Sequence, residues 1–155
     1  MRICEAECYD KRWLRKDMEN MGFLFEYCDK YCMQLFNVKI DKLLFLNAFM
    51  RSNFRIEMER GHDRLLSQSA FDSVDMFVNV DCDGDILQFE GACVQWHKNQ
   101  MYWVGWMYAY LHFRTKMPSA ELVEKLPILR MLEEYYLGHE MDREVFYERI
   151  ESELK

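Results

Sequence analysis

The sequence has little of what cuts a chain into short pieces. It holds six glycines and two prolines among 155 residues, which argues against a many-turned sandwich and for long elements joined by short loops. Long apolar runs are also missing. The longest stretch free of charge, Asn99 to Phe113, has 15 residues, short of the ~20 a membrane-spanning helix needs. The opening "MRICEAECYDKRW" contains no apolar signal core, so a cytoplasmic chain with reduced thiols is expected. Excess positive charge is absent as well. The net charge is −7, the wrong sign for displacing counterions from phosphates, so nucleic acid is not the expected partner. The most basic stretch, Lys11 to Lys16, is flanked by Asp10, Asp17 and Glu19 and reads as a solvated helix face. An acidic protein more readily meets a basic partner.

What is present is apolar and aromatic. Half of the residues are hydrophobic, enough for one well-formed core without disulfides or metals. Twelve methionines suit a core filled by adaptable side chains. The stretch "YWVGWMYAYLHF", Tyr102 to Phe113, places Trp103, Trp106, Tyr110 and Phe113 at i, i+3, i+7 and i+10, with Val104, Met107, Tyr108 and Leu111 covering much of the remaining surface. A helix apolar nearly all round is a buried central helix. Gly105 inside it predicts another backbone passing close by, since Gly costs roughly 1 kcal/mol of helix propensity against Ala.

Around this centre the spacing predicts helices over 10–21 and 23–36, meeting at Gly22, and a third from Lys42 to Arg60, capped by Asp41 and closed by a left-handed Gly61. Ser69, with Asp72 three residues on, opens a helix to about Val78. Asn99 caps the aromatic helix, Ser119 caps a short one to Leu126, Pro127 starts another that Gly138 stops, and Asp142 caps the last. The expected fold is all-α, a single domain over residues 1–155 with about seven or eight helices around the helix at 100–115. Residues 1–40 are expected to form a less tightly associated N-terminal helical hairpin.

Three groups of residues are candidates for chemistry. "NVDCDGDILQFE", Asn79 to Glu90, nearly fits a calcium-binding loop, with Asn79, Asp81, Asp83, Asp85 and Glu90 as oxygen donors and Gly84 at the turn. Asn at the first position and Gly91 directly after Glu90 depart from that pattern, and the competing reading is a polar surface turn. The pairs Cys4/Cys8 and Cys28/Cys32 each lie on one helix face, and a hairpin at Gly22 would bring them together as a four-thiol zinc set. Buried thiols are the simpler reading. His139, Glu140 and Asp142 of "HEMD" are suited to acid–base work in a small enzyme pocket. They equally suit a structured connector supplying acceptors for the buried Trp103, Trp106 and Tyr110. No nucleophile motif or phosphate-cradling loop accompanies them.

The segments "FMRSNFRIEMERGHDRLL", "SAFDSVDMFV", "YWVGWMYAYLHF" and "LPILRMLEEYYLGHEMD" occur in the order seen in a family of small helical bacterial proteins, which the chain resembles over roughly residues 43 to 151. Tyr102, Trp103, Gly105, Trp106, Ala109, Tyr110 and His139 to Asp142 carry the resemblance. The relatives' "YYQW" is replaced by "YLHF", with Leu111, His112 and Phe113. Members of that family often stand beside an ADP-ribosyltransferase-fold protein in cassettes resembling toxin–antitoxin pairs. The resemblance therefore implies a non-enzymatic, cofactor-free, antitoxin-like protein-binding module whose partner is a cognate toxin with a basic cleft. Candidate contacts are Asp81, Asp83, Asp85, His139, Glu140 and Asp142. A calcium- or small-ligand-binding protein and a small enzyme are the alternatives.

Overall fold

The computed structural model describes residues 8–82, 84–88, 96 and 99–155, with nothing of the Gln88 side chain. Among these residues there are nine α-helices and no strand, so the all-α expectation holds. The helices are α1 (Leu14–Phe36), α2 (Lys42–Met50), α3 (Asn53–Glu59), α4 (Asp63–Ser67), α5 (Ala70–Met76), α6 (Gln100–Thr115), α7 (Ser119–Lys125), α8 (Ile128–Gly138) and α9 (Arg143–Ile150). A wide π-turn, Phe77–Asp81, extends α5, and short 3₁₀ turns flank α1 and α9.

The aromatic helix α6 is central, as its sequence predicts. Met101, Val104, Met107, Tyr108, Ala109 and Leu111 are buried on it. Its most extensive partner is α1, and Gly105 explains the closeness: a Cβ there would lie 2.2 Å from the Met21 carbonyl oxygen. The expected hairpin at Gly22 does not form; α1 runs through that position unbroken. Gly22 is instead a contact point, where a Cβ would meet the Tyr102 ring at 2.6 Å. Gly138 is the last residue of α8, which ends there as expected, and it also admits the Trp103 ring, 2.6 Å from where its Cβ would be.

The helix expected over Lys42 to Arg60 is two. Ser52 breaks it by accepting the Arg55 N–H (3.1 Å) while its hydroxyl donates to the Phe49 carbonyl (2.7 Å). A short polar side chain that bonds its own backbone starts a new helix in a new direction. Asp41, Ser69 and Asp142 cap α2, α5 and α9 as expected, and Gly61 takes φ +95°. Two other caps differ. Asn99 adopts a left-handed φ of 73° without capping, its N–H donating to Glu26 Oε1. Ser119 is the first residue of α7, not its cap.

No helix among the described residues is long and apolar enough to cross a membrane.

Candidate functional site

Six charged or hydrogen-bonding side chains, Tyr9, Asp17, Arg55, Glu59, His112 and Ser119, meet where α1, α3, the C-terminal end of α6 and the start of α7 converge. The break at Ser52 turns Arg55 of α3 inward, where it is 0 % exposed. Its guanidinium grips Asp17 of α1 with two parallel bonds, Nη1 to Oδ1 at 2.7 Å and Nη2 to Oδ2 at 2.8 Å, the fork geometry for which Arg suits carboxylates. Tyr9 donates its hydroxyl to the same carboxylate at 2.7 Å. On the other side Arg55 Nε lies 3.2 Å from Glu59 Oε2 and 3.3 Å from the Ser119 hydroxyl. Glu59 accepts both the backbone N–H and the hydroxyl of Ser119, so a carboxylate from α3 receives the first amide of α7. That bond is the physical substitute for the missing cap.

Burial alone would raise the Asp17 carboxyl, but the charge and hydrogen bonds of Arg55, with the Tyr9 hydroxyl, outweigh it and hold the group below the ordinary carboxylate value. Burial pushes the His112 imidazole below its ordinary value; Glu59 pulls it back and Arg55 opposes it. His112 Nδ1 lies 2.8 Å from the Met117 carbonyl oxygen and 3.4 Å from Glu59 Oε2. With acceptors on that side, the proton sits on Nδ1 and the Nε2 lone pair faces outward. Nε2 points to Cys8 Sγ at 3.7 Å, and Lys116 Nζ is 3.7 Å from the same sulfur. Cys8, Ile56, Glu59, Arg60, His112, Lys116 and Pro118 line a pocket of about 180 Å³. Burial raises the Cys8 thiol, with Lys116 pulling the other way.

Of this constellation only Cys8 was among the expected residues, and there as a zinc thiol paired with Cys4. Asp17, Arg55 and Glu59 each look like solvated helix charges in sequence, and nothing local marks the turn that buries them. His112, the one imidazole inside the aromatic stretch "YWVGWMYAYLHF", was the visible signal.

The expected candidates are dispersed. Trp103 and Tyr110 are buried and Trp106 half-buried. Trp103 packs edge-on against Tyr135 and Phe146 at 5.9 and 5.1 Å. The acceptors for α6 do not come from "HEMD". Tyr110 donates to Glu144 (2.6 Å), and Tyr108 to the Leu126 carbonyl. His139 instead stacks on Tyr135 with ring centroids 4.4 Å apart, its Nδ1 2.7 Å from the Tyr135 carbonyl oxygen, while Glu140 is exposed and Asp142 caps α9. They line none of the pocket around Cys8.

Asp81 and Asp85 are exposed beside the left-handed Gly84, whereas Asp83 and Glu90 lie outside the described residues. The Asn79 amide turns back to Asp75, a helical contact that differs from ligation in a calcium loop. Cys4 also lies outside the described residues. Cys28 and Cys32 are buried on α1 with their thiols pushed up by burial, Cys32 to about 12. The unbroken α1 separates Cys28 from the Cys8 end by about 20 Å along its axis, so Cys8 does not join Cys28 and Cys32 in one thiol set. Among the described residues no three His, Cys, Asp or Glu side chains converge as a metal-ligand group.

A different surface adjoins "HEMD". On α8, Leu129, Glu133, Tyr136, Leu137 and the following Glu140 fall at i, i+4, i+7, i+8 and i+11, one helical face. All five are exposed, Leu129, Tyr136 and Leu137 by 57–62 %. The opposite face of α8 buries Ile128, Met131, Leu132 and Tyr135.

Compared with protein-family models, curated proteins and solved structures, the chain matches none.

Proposed function

We propose that this chain is a protein-binding module, antitoxin-like, that neutralises a partner protein by docking the outer face of α8 against it. The observation that carries this reading is the stripe of Leu129, Tyr136 and Leu137, three large apolar side chains held out on a helix whose other face is already packed. Helix-in-groove recognition uses anchors at this spacing, and an exposed aromatic contributes large contact area at low entropic cost. Glu133 and Glu140 on the same face, with the overall charge of −7, suit a partner whose apolar groove is rimmed by Lys and Arg. A toxin cleft that accommodates a dinucleotide has that character, in keeping with the family resemblance. His139 and Asp142 then sit at the edge of the contact, and the exposed Asp81 and Asp85 add acidic surface elsewhere on the chain. Neutralisation of this kind requires no turnover by the chain.

The test is co-expression with the product of the adjacent gene. The expected result is co-purification of the two chains and relief of any growth arrest the partner causes alone. A chain that neither co-purifies nor rescues growth would sink the reading.

A further inference from the structure

The pocket at Cys8 shares no residue with the α8 stripe, and the binding role makes no use of it. The thiol, the imidazole with its free Nε2 lone pair, the buried Glu59 carboxylate and the Lys116 ammonium form a connected line into a space of about 180 Å³. A nucleophile within reach of a base, the base backed by a third group, is the geometry of thiol acyl transfer. Lys116 closes α6 with a left-handed φ of 63°, its N–H donating to the His112 carbonyl oxygen, a helix ending that Gly adopts with less strain. This turn sets its ammonium over the Phe113 ring and beside the sulfur.

We propose that Cys8 is a nucleophile that accepts short acyl groups from activated esters or thioesters, with His112 as general base, Lys116 facing the oxyanion and Glu59 as the positioning residue behind the imidazole. As Sγ bonds to the acyl carbon, the thiol proton passes to His112 Nε2 and the carbonyl electron pair moves onto oxygen, opposite Lys116. The oxyanion collapses, the bond to the leaving oxygen or sulfur breaks, and that atom takes the proton from Nε2. An S-acyl Cys8 and a free alcohol or thiol result, with no change of oxidation state. Ile56 and Pro118 give the pocket an apolar wall for a short chain.

The groups facing the pair are Glu59, Arg55 and Arg60 of the α3 region, Asp17 of α1, Tyr9, and Lys116. Burial favours the neutral thiol and the neutral imidazole together. That neutral pair is the reactive form, so its rate is level across about pH 7 to 8. A simple thiol, reacting through its thiolate, speeds up roughly tenfold per pH unit below its pKa.

The full chain is incubated with p-nitrophenyl acetate; p-nitrophenolate release, intact mass and peptide mapping are followed, with the half-buried Cys82 as internal control. One rapid acetylation at Cys8 is expected, level with pH and abolished by Cys8→Ser. His112→Gln should slow it roughly 100-fold. Glu59→Gln should slow it about tenfold and leave the profile level, whereas loss of local structure would give the steep profile of a free thiol. Lys116→Gly relieves the strained backbone, so it should melt no lower than the parent while acetylating about tenfold more slowly. Acetylation of Cys8 no faster than Cys82, a tenfold rise per pH unit in the parent, or an unchanged rate in Lys116→Gly would overturn the assignment.

Discussion

Arg55 is 0 % exposed and engages Asp17, Glu59 and Ser119 at once. Deleting one member of such a set leaves the others charged and without water, which costs about 3–5 kcal/mol. Arg55→Ala is expected to lower unfolding stability by that amount in a urea melt, far beyond the surface pair Arg15–Glu19, whose loss should stay below about 0.5 kcal/mol. The buried groups also set a pH window. Asp17 is lower in the fold than its ordinary 3.8 and His112 lower than its ordinary 6.5, so in each case the unfolded chain takes up the proton first. Stability from His112 is present above about 6.5 and declines as pH falls toward its folded value; that from Asp17 is lost below about 3.8. Cys28 and Cys32 are raised above their ordinary 9.0, so their contribution holds below that value and is lost as pH rises through the folded values. Thermal melts across pH 4 to 10 should show a plateau between about 6.5 and 9 with a shoulder on the acid side. A stability maximum below pH 6 would contradict this assignment of buried groups.

At the scale of elements, the α1–α6 crossing depends on one missing side chain. Helix propensity alone predicts that Gly105→Ala stabilises by roughly 1 kcal/mol. A Cβ there would sit 2.2 Å from the Met21 carbonyl oxygen and 2.8 Å from the Phe25 ring, so the two helices would have to separate. The expected effect is destabilisation by about 1–3 kcal/mol, opposite in sign to propensity and measurable by denaturant unfolding. The periodicity of α6 was legible because nearly every position is apolar. The Lys42–Arg60 region misled because its apolar stripe continues across Ser52, whose capping bonds reset the direction of the chain. At Gly22 the reverse occurred: a helix-disfavouring residue was retained inside α1 to admit the Tyr102 ring. The α8 face makes an element-scale prediction of its own. Tyr136→Glu and Leu137→Glu alter only exposed positions, so they should change stability by no more than about 0.5 kcal/mol while abolishing capture of the partner in a pull-down.

For the whole molecule, the net charge of −7 would steer the encounter that the proposed function requires. If the partner presents a basic rim, the association rate should fall as salt is raised from about 0.05 to 0.5 M, while the dissociation rate changes little. Stopped-flow mixing or surface capture at several ionic strengths would measure both, and a salt-independent association rate would contradict the charge argument. The proposed docking face on α8 and the Cys8 pocket share no residue. Variants of α8 should therefore leave Cys8 chemistry untouched, and Cys8→Ser should leave partner capture untouched.

Composition and periodicity by themselves determined the helical class, the central position of the 100–115 segment, the close approach at Gly105 and the caps at Asp41, Ser69 and Asp142. Each of these follows from interactions within a few residues, or from the count of apolar side chains that water excludes. Packing between distant segments placed Asp17, Arg55, Glu59 and His112 inside, set Cys8 against His112, and made Glu144 the acceptor for Tyr110. A charged residue in sequence carries no mark of burial. Its position is set by partners on other helices, and that pairing exists only once the chain has folded back on itself.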